Sequence, residues 1–277
     1  MTNKFKLFLI FLIILALALA GYLYYDYQQK KSEVIFFDVG QGDSALINLH
    51  GDNEILIDGG PDKTVLAKLG KYMSFYNRSL ELVILTHPHA DHLIGLVSLF
   101  DRYDIKKIML TGVIYNESAY QVFLEKIKAK DIEIIYPQDF NQLELASDVF
   151  LNIIYPKKNI ASTNFADLND SSIVVKLDTP DQDFLFTGDI STDIEGQILA
   201  SSSPDLLDAD ILKVAHHGSI TSSGEDFLQA VSPSSAVISV GENNFGHPSL
   251  RVIKRLERAG AEVFQTDQSG DIIFKIR

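Results

Sequence analysis

The chain contains no cysteine in its 277 residues. That excludes a disulfide framework and a thiolate metal site alike. Any metal must be held by nitrogen and oxygen ligands. Positive charge is also scarce: 24 Lys and Arg stand against 37 Asp and Glu, a formal net charge of −13. The first 31 residues hold Lys4, Lys6, Lys30 and Lys31 against Asp26, so the remainder carries −16. A body this acidic is a poor general binder of nucleic acid, because phosphate affinity needs lysine and arginine. The only cationic clusters that stand out are Lys106–Lys107 and Lys126, Lys128 and Lys130, and they read as solvated surface. The chain has seven histidines, yet none between residues 93 and 215.

What is present begins with an apolar run. Residues 7–25, LFLIFLIILALALAGYLYY, carry no charge and follow Lys4 and Lys6. About 20 apolar residues span a bilayer as a helix, and Tyr22, Tyr24 and Tyr25 suit its interface. The rival is a cleaved signal peptide with Ala18-Leu19-Ala20 as its A-x-A site. The apolar run continues past that site, which favours an uncleaved single-pass anchor in the cell membrane with the body extracytoplasmic. The alternative is a secreted body. Residues 1–32 are thus read as the anchor or signal segment. Residues 33–277 are read as one domain, a length that suits a large α/β fold.

Within that domain, strands are expected over 34–38, 45–48 and 54–58, with a turn at 50–53. Pro61 opens a helical pattern to about residue 76. A buried strand at 82–85 precedes a helix at 93–100. Strands at 108–110 and 132–135 flank a helix at 119–129. The second half follows the same order, with strands at 143–155, 173–177, 184–186, 211–215 and 236–240, then a helix at 248–259 and strands at 263–265 and 272–276. Two strand-rich halves, each passing into helices, predict two sheets sandwiched between helices, an αββα α/β fold.

The chemistry concentrates where buried strands end. THPHADH (86–92) follows the apolar LVIL. Alternate residues of an extended loop face one way, so His87 and His89 can point at one ion. Asp91 and His92 open the next helix and can serve a second. Asp189 ends FLFTGD, either as a helix N-cap or as a carboxylate bridging two metals. His216 and His217 end ILKVAHH, and His247 lies in GENNFGHPS. Asp58 in LIDGG either shapes a turn or orients a metal-binding histidine.

Taken together, these motifs resemble the metallo-β-lactamase superfamily: HPHADH matches its H-x-H-x-D-H signature, and FTGD its later aspartate. FFDVGQGDSALI, LIDGG, Asn169 and Ser172, LKVAHHGS and SVGENNFGHPS are similar to the extracytoplasmic domain of ComEC-type competence proteins and their standalone relatives. The resemblance covers residues 33 to 277 and implies a dinuclear hydrolase. One ion falls to His87, His89 and Asp189, with Asp170 as a weaker oxygen ligand. The other falls to Asp91, His92, Asp189 and one histidine of the 216–217 pair, assigned here to His216. Zinc suits the nitrogen ligands, and manganese an oxygen-richer site. His217 and His247, with Asp91, become the catalytic groups, and Asn169, Ser172, Asn243 and Asn244 the substrate contacts. The implied substrate is a phosphodiester, in nucleic acid or in a phosphorylated surface polymer. A carboxylic ester or lactone hydrolase, and a non-catalytic docking module in DNA uptake, are the alternatives.

Overall fold

The computed structural model describes residues 3–29, 32–49 and 53–276. Lys30, Lys31 and most of the turn expected at 50–53 lie outside the described residues. Helix α1 (Asn3–Gln29) opens the chain. It is followed by β1 (Ser32–Phe36), β2 (Ala45–Leu49), β3 (Asn53–Ile57), α2 (Thr64–Tyr72), β4 (Ser79–Leu80), β5 (Leu82–Ile84) and α3 (Ala90–Leu99). Then come β6 (Asp104–Ile105), β7 (Lys107–Met109), α4 (Ser118–Ala129) and β8 (Glu133–Ile135). The second half holds β9 (Gln142–Ala146), β10 (Val149–Tyr155), β11 (Val174–Asp178), β12 (Phe184–Phe186), α5 (Thr192–Ser201), α6 (Pro204–Leu207) and β13 (Ile211–Lys213). It ends with α7 (Glu225–Val231), β14 (Ser235–Ile238), α8 (Leu250–Arg258), β15 (Glu262–Gln265), α9 (Thr266–Ser269) and β16 (Ile272–Ile276).

The strands form two seven-stranded sheets, in the orders β16-β1-β2-β3-β5-β7-β8 and β15-β14-β13-β12-β11-β10-β9. Each sheet is antiparallel at one side and parallel at the other, the switch falling at β3 in the first and at β12 in the second. β4 and β6 pair separately as a short parallel ribbon. Side chains alternate across a strand, and here both faces are buried. On β1, Val34 and Phe36 enter the core between the sheets. Ile35 faces the outer core, where α2, α3 and α4 pack. The second sheet packs α5, α7 and α8 on its outer face. Phe36 of β1 stacks on Phe186 of β12 across the interior, centroids 5.6 Å apart. The expected αββα sandwich is the observed fold.

Two local expectations change. The single strand expected at 143–155 is a hairpin of β9 and β10, turned at Asp148 with φ 59°. Aspartate tolerates this left-handed turn because its short side chain bonds the local backbone. The helix expected from Pro61 begins at Thr64, whose N–H Asp62 Oδ1 accepts at 2.8 Å. Residues 3–22 of α1 are predominantly apolar, unburied and long enough to cross a bilayer, so α1 is a candidate membrane span.

Candidate metal centre

One edge of the sandwich collects every charged group of interest. β3, β5, β12, β13 and β14 run parallel within their sheets and end there, and β2, antiparallel to β3, starts there. Loops at the carboxyl ends of parallel strands are where α/β folds place their sites. The edge therefore carries Asp43 before β2, Asp58 after β3, His87 to His92 after β5, Asp189 after β12, and His216 and His217 after β13.

Three imidazoles converge on one oxygen. Asp189 Oδ2 lies 3.4 Å from His92 Nε2, 3.5 Å from His217 Nε2 and 4.0 Å from His87 Nε2. His217 Nε2 also lies 3.2 Å from Asp91 Oδ2. His89, at the N-cap of α3, places Nδ1 3.0 Å from His87 Nε2. Asp189 does not cap α5, whose N-cap is Ser191.

Behind the rings stand groups that fix them. Asp58 Oδ2 sits 2.8 Å from His92 Nδ1, while Asp58 also accepts the Thr86 N–H and hydroxyl at 2.8 and 2.7 Å. His92 is thereby turned with Nε2 toward Asp189, as a carboxylate orients a metal-binding histidine. His87 Nδ1 faces the hydroxyls of Thr86 and Ser172, each at 3.2 Å. Those hydroxyls already donate elsewhere, to Asp58 and to the Asn169 carbonyl. Nδ1 is then the donor, and the Nε2 lone pair is left facing the cluster. His217 Nδ1 lies 2.9 Å from the Ser239 carbonyl and 3.2 Å from Asp43 Oδ1. Asp43 in turn is paired with Lys213, Nζ to Oδ2 2.5 Å.

Asp43 and Lys213 are not among the site residues expected from sequence. The signal that could have found them is a lysine in the buried strand ILK, which needs a buried anion to match it.

The adjacent histidines exchange the places expected of them. His216 and His217 both have left-handed backbones, φ 51° each, a conformation costing on the order of 1–3 kcal/mol per non-glycine residue. That turn sends His217 in toward Asp189 and His216 outward. His216 Nε2 lies 3.5 Å from Asn169 Nδ2, and its ring centroid is 5.3 Å from that of His247.

The expected substrate contacts divide. Ser172 is fully buried and accepts the Asp189 N–H at 3.0 Å. Asn243 spends its amide within its own loop, donating to the Gly241 and His247 carbonyls and accepting the Phe245 and His247 N–H groups. Both are therefore site-building groups in this structure rather than groups open to a ligand. Asn244 is exposed. The Asp170 carboxylate accepts the Ser191 N–H at 3.2 Å.

Charge follows this geometry. Burial lowers His87 well below the ordinary histidine value, with the His92 charge adding to it. Burial opposes the charged form of His92, but Asp189, Asp58 and Asp91 outweigh it and raise His92 well above. For His217, Asp189 and Asp43 overcome burial and push it up to about 10. The same histidines hold Asp189 well below the usual carboxylate range despite its burial. Burial keeps His216 and His247 low, and so neutral.

Asp43, His92, Asp189 and His217 are all buried and bring one donor atom each within 4.8 Å. The donors divide into two sides. Asp43 and Asp58 lie on the Nδ1 edges, where N–H groups point at them. Asp189 lies on the Nε2 edges. His92 Nε2, Asp189 Oδ1 and Asp43 Oδ1 are buried and have no hydrogen-bond partner, but Asp43 Oδ1 faces His217 Nδ1 at 3.2 Å and its other oxygen is paired with Lys213, so the Nε2 side is the one that fits a cation. Two donors sharing a tetrahedral zinc at about 2.1 Å stand roughly 3.4 Å apart, which the 3.2 to 4.0 Å spacings bracket.

A model of the metallo-β-lactamase superfamily matches residues 37–242. The chain is 28% identical over 271 residues to ComE operon protein 3 of Bacillus subtilis, covering 91% of this chain and 34% of that protein. It is 28% identical over 273 residues to competence protein ComA of Neisseria gonorrhoeae, covering 93% and 35%. It therefore spans about a third of these relatives, which are of the ComEC type that the motifs resemble. The metallo-β-lactamase fold protein YhfI of Bacillus subtilis has a similar structure, with TM-score 0.55, 15% identity, and coverage of 87% of this chain and 99% of that one.

Proposed function

The chain belongs to the metallo-β-lactamase superfamily, and on that premise we propose that it is a membrane-anchored, dinuclear metal-dependent phosphodiesterase with its body outside the cytoplasm. The observation that carries this reading is the convergence of the Nε2 atoms of His87, His92 and His217 on Asp189 Oδ2. In this reading Asp189 would serve both of two divalent ions, zinc or manganese. His87 and His89 would hold one, and Asp91, His92 and His217 would hold the other. His217 takes the ligand role expected of His216, since its Nε2 and not that of His216 approaches Asp189 and Asp91. When bound, such ions would lower the pKa of a water toward neutrality and offset charge on the ester oxygens.

The chain's own residues do the rest. Asp58 and Asp43 hold the imidazoles in line. His216 and His247, neutral and on the outer side, donate hydrogen bonds to the leaving oxygen or to a phosphoryl oxygen as charge develops. Asn169 Nδ2 lies beside His216 and can share that oxygen. The competence relatives support a phosphodiester over a carboxylic ester.

The test is turnover by the full chain, loaded with zinc or manganese, of bis-p-nitrophenyl phosphate against a lactone. Faster diester turnover that is abolished by His89→Ala is expected, and lactone turnover alone would overturn the reading. For location, the protein should fractionate with membranes after alkaline washing, and a mature N-terminus at Gly21 would refute the anchor.

A further inference from the structure

The acidic surface is interrupted at α8. Its sequence LRVIKRLER holds four cations and one carboxylate in nine residues. Along the chain these charges are masked by the apolar residues between them. Val252 and Leu256 bury that apolar side in the second outer core, leaving Arg251, Lys254 and Arg258 exposed. Spacings of three and four residues place them on one face.

These cations are not equivalent. Arg258 faces Glu225 at 3.9 Å. Arg255 donates to the Ser223 and Ile220 carbonyls at 2.8 and 3.4 Å, fastening α8 to the loop after His217. Arg251 and Lys254 pair with no carboxylate among the described residues. Of the clusters read as surface, Lys106, Lys107 and Lys126 each have an acidic partner, while Lys128 and Lys130 have none among the described residues and stand at the end of α4, on the other outer layer of the sandwich. In a chain with 37 carboxylates and 24 cations, two neighbouring unpaired cations present a surface complementary to an external anion.

The position matters as much as the charge. Ser249, the N-cap of α8, donates its N–H to the Gly218 carbonyl at 2.9 Å, so the helix starts beside His217. His247 lies two residues earlier. Beside it Phe245 is 75% exposed, with its ring 5.8 Å from that of His247. Ile220, Glu225, Arg251, Lys254, Arg255 and Arg258 line a groove of about 360 Å³.

We propose that Phe245, Arg251 and Lys254 form a track on which a single nucleic-acid strand reaches the metal centre. Arg251 and Lys254 take its phosphates, and Phe245 stacks a base. Phe245 does not line this groove but lies six residues before Arg251, and cations that take phosphates near an aromatic ring that takes a base are the physical signature of single-strand binding. A phosphorylated wall polymer offers the phosphates but has no ring for Phe245 to stack on. The inference rests on reading the neighbouring site as a phosphodiesterase centre.

The test is fluorescence anisotropy with a labelled oligothymidylate, on the full chain in phosphatidylcholine nanodiscs with EDTA present so that no strand is cut. Arg251→Gln/Lys254→Gln should weaken binding at least 10-fold. It should also lower the slope of log K against log salt by about 1.4, two phosphate contacts at roughly 0.7 each on a single strand. Phe245→Ala should weaken oligothymidylate roughly 10-fold and leave poly(glycerol phosphate) unaffected. An unchanged Kd and slope in the double variant would overturn the track. Equal loss of both polymers, or of neither, in Phe245→Ala would overturn the choice of nucleic acid. Hydrolysis of bis-p-nitrophenyl phosphate by the unsubstituted chain reads the catalytic proposal separately. A chain that hydrolyses no diester but binds the strand through these residues keeps the track and loses the phosphodiesterase reading.

Discussion

Lys213 Nζ lies 2.5 Å from Asp43 Oδ2, and both side chains are buried behind the ring of His217. Breaking one side of such a pair leaves a buried charge with no match, at a cost of about 3–5 kcal/mol. Asp43→Asn, which leaves the Lys213 ammonium buried without its carboxylate, should lower stability by that amount in chemical denaturation of the metal-free chain. Lys213→Met/Asp43→Asn should recover most of it, because no bare charge remains. A single variant within about 1 kcal/mol of wild type, the usual range of an exposed pair, would show that the pair does not act as a buried one.

Asp58 holds His92 from the Nδ1 side at 2.8 Å. Removing a carboxylate that orients a metal-binding histidine typically costs 10–100-fold in metal affinity. Asp58→Asn should therefore weaken binding of at least one ion by that factor in calorimetric titration. Affinity equal to wild type would contradict the orienting role.

The metal-free chain should lose stability as pH rises. His217 is raised to about 10 by Asp189 and Asp43 acting against its burial. A group raised in the folded state stabilises fully below its unfolded value, near 6.5, and loses that contribution as pH climbs through the folded value. The Tm of the chain in EDTA should fall between about pH 6.5 and 10, more steeply than in His217→Gln. Parallel Tm profiles for the two proteins would refute this.

Much of the site is legible in the sequence because its residues end buried apolar runs. LVIL leads into His87, FLF into Asp189 and ILI into Asp58, and short continuous apolar runs buried on both faces are easy to place. The order of His216 and His217 is not legible. It depends on two successive left-handed residues, which neither propensity nor spacing announces. Asn243 looks available for substrate because amides in glycine loops often are. Here the loop itself uses both ends of the amide. The split of residues 142–155 into a hairpin is hidden because Asp148 interrupts a stretch that is strand-like on both sides. Asp43 and Lys213 are visible only together, since a lysine inside a buried strand makes sense once its carboxylate is found in the loop before β2, at the edge of the facing sheet.

In the proposed centre Asp189 would join the two ions that the flanking histidines hold. Elemental metal analysis of the full chain, wild type against Asp189→Ala, tests it most directly. Two divalent ions per wild-type chain, both lost in Asp189→Ala, are the predicted result. Retention of two ions by Asp189→Ala would contradict it.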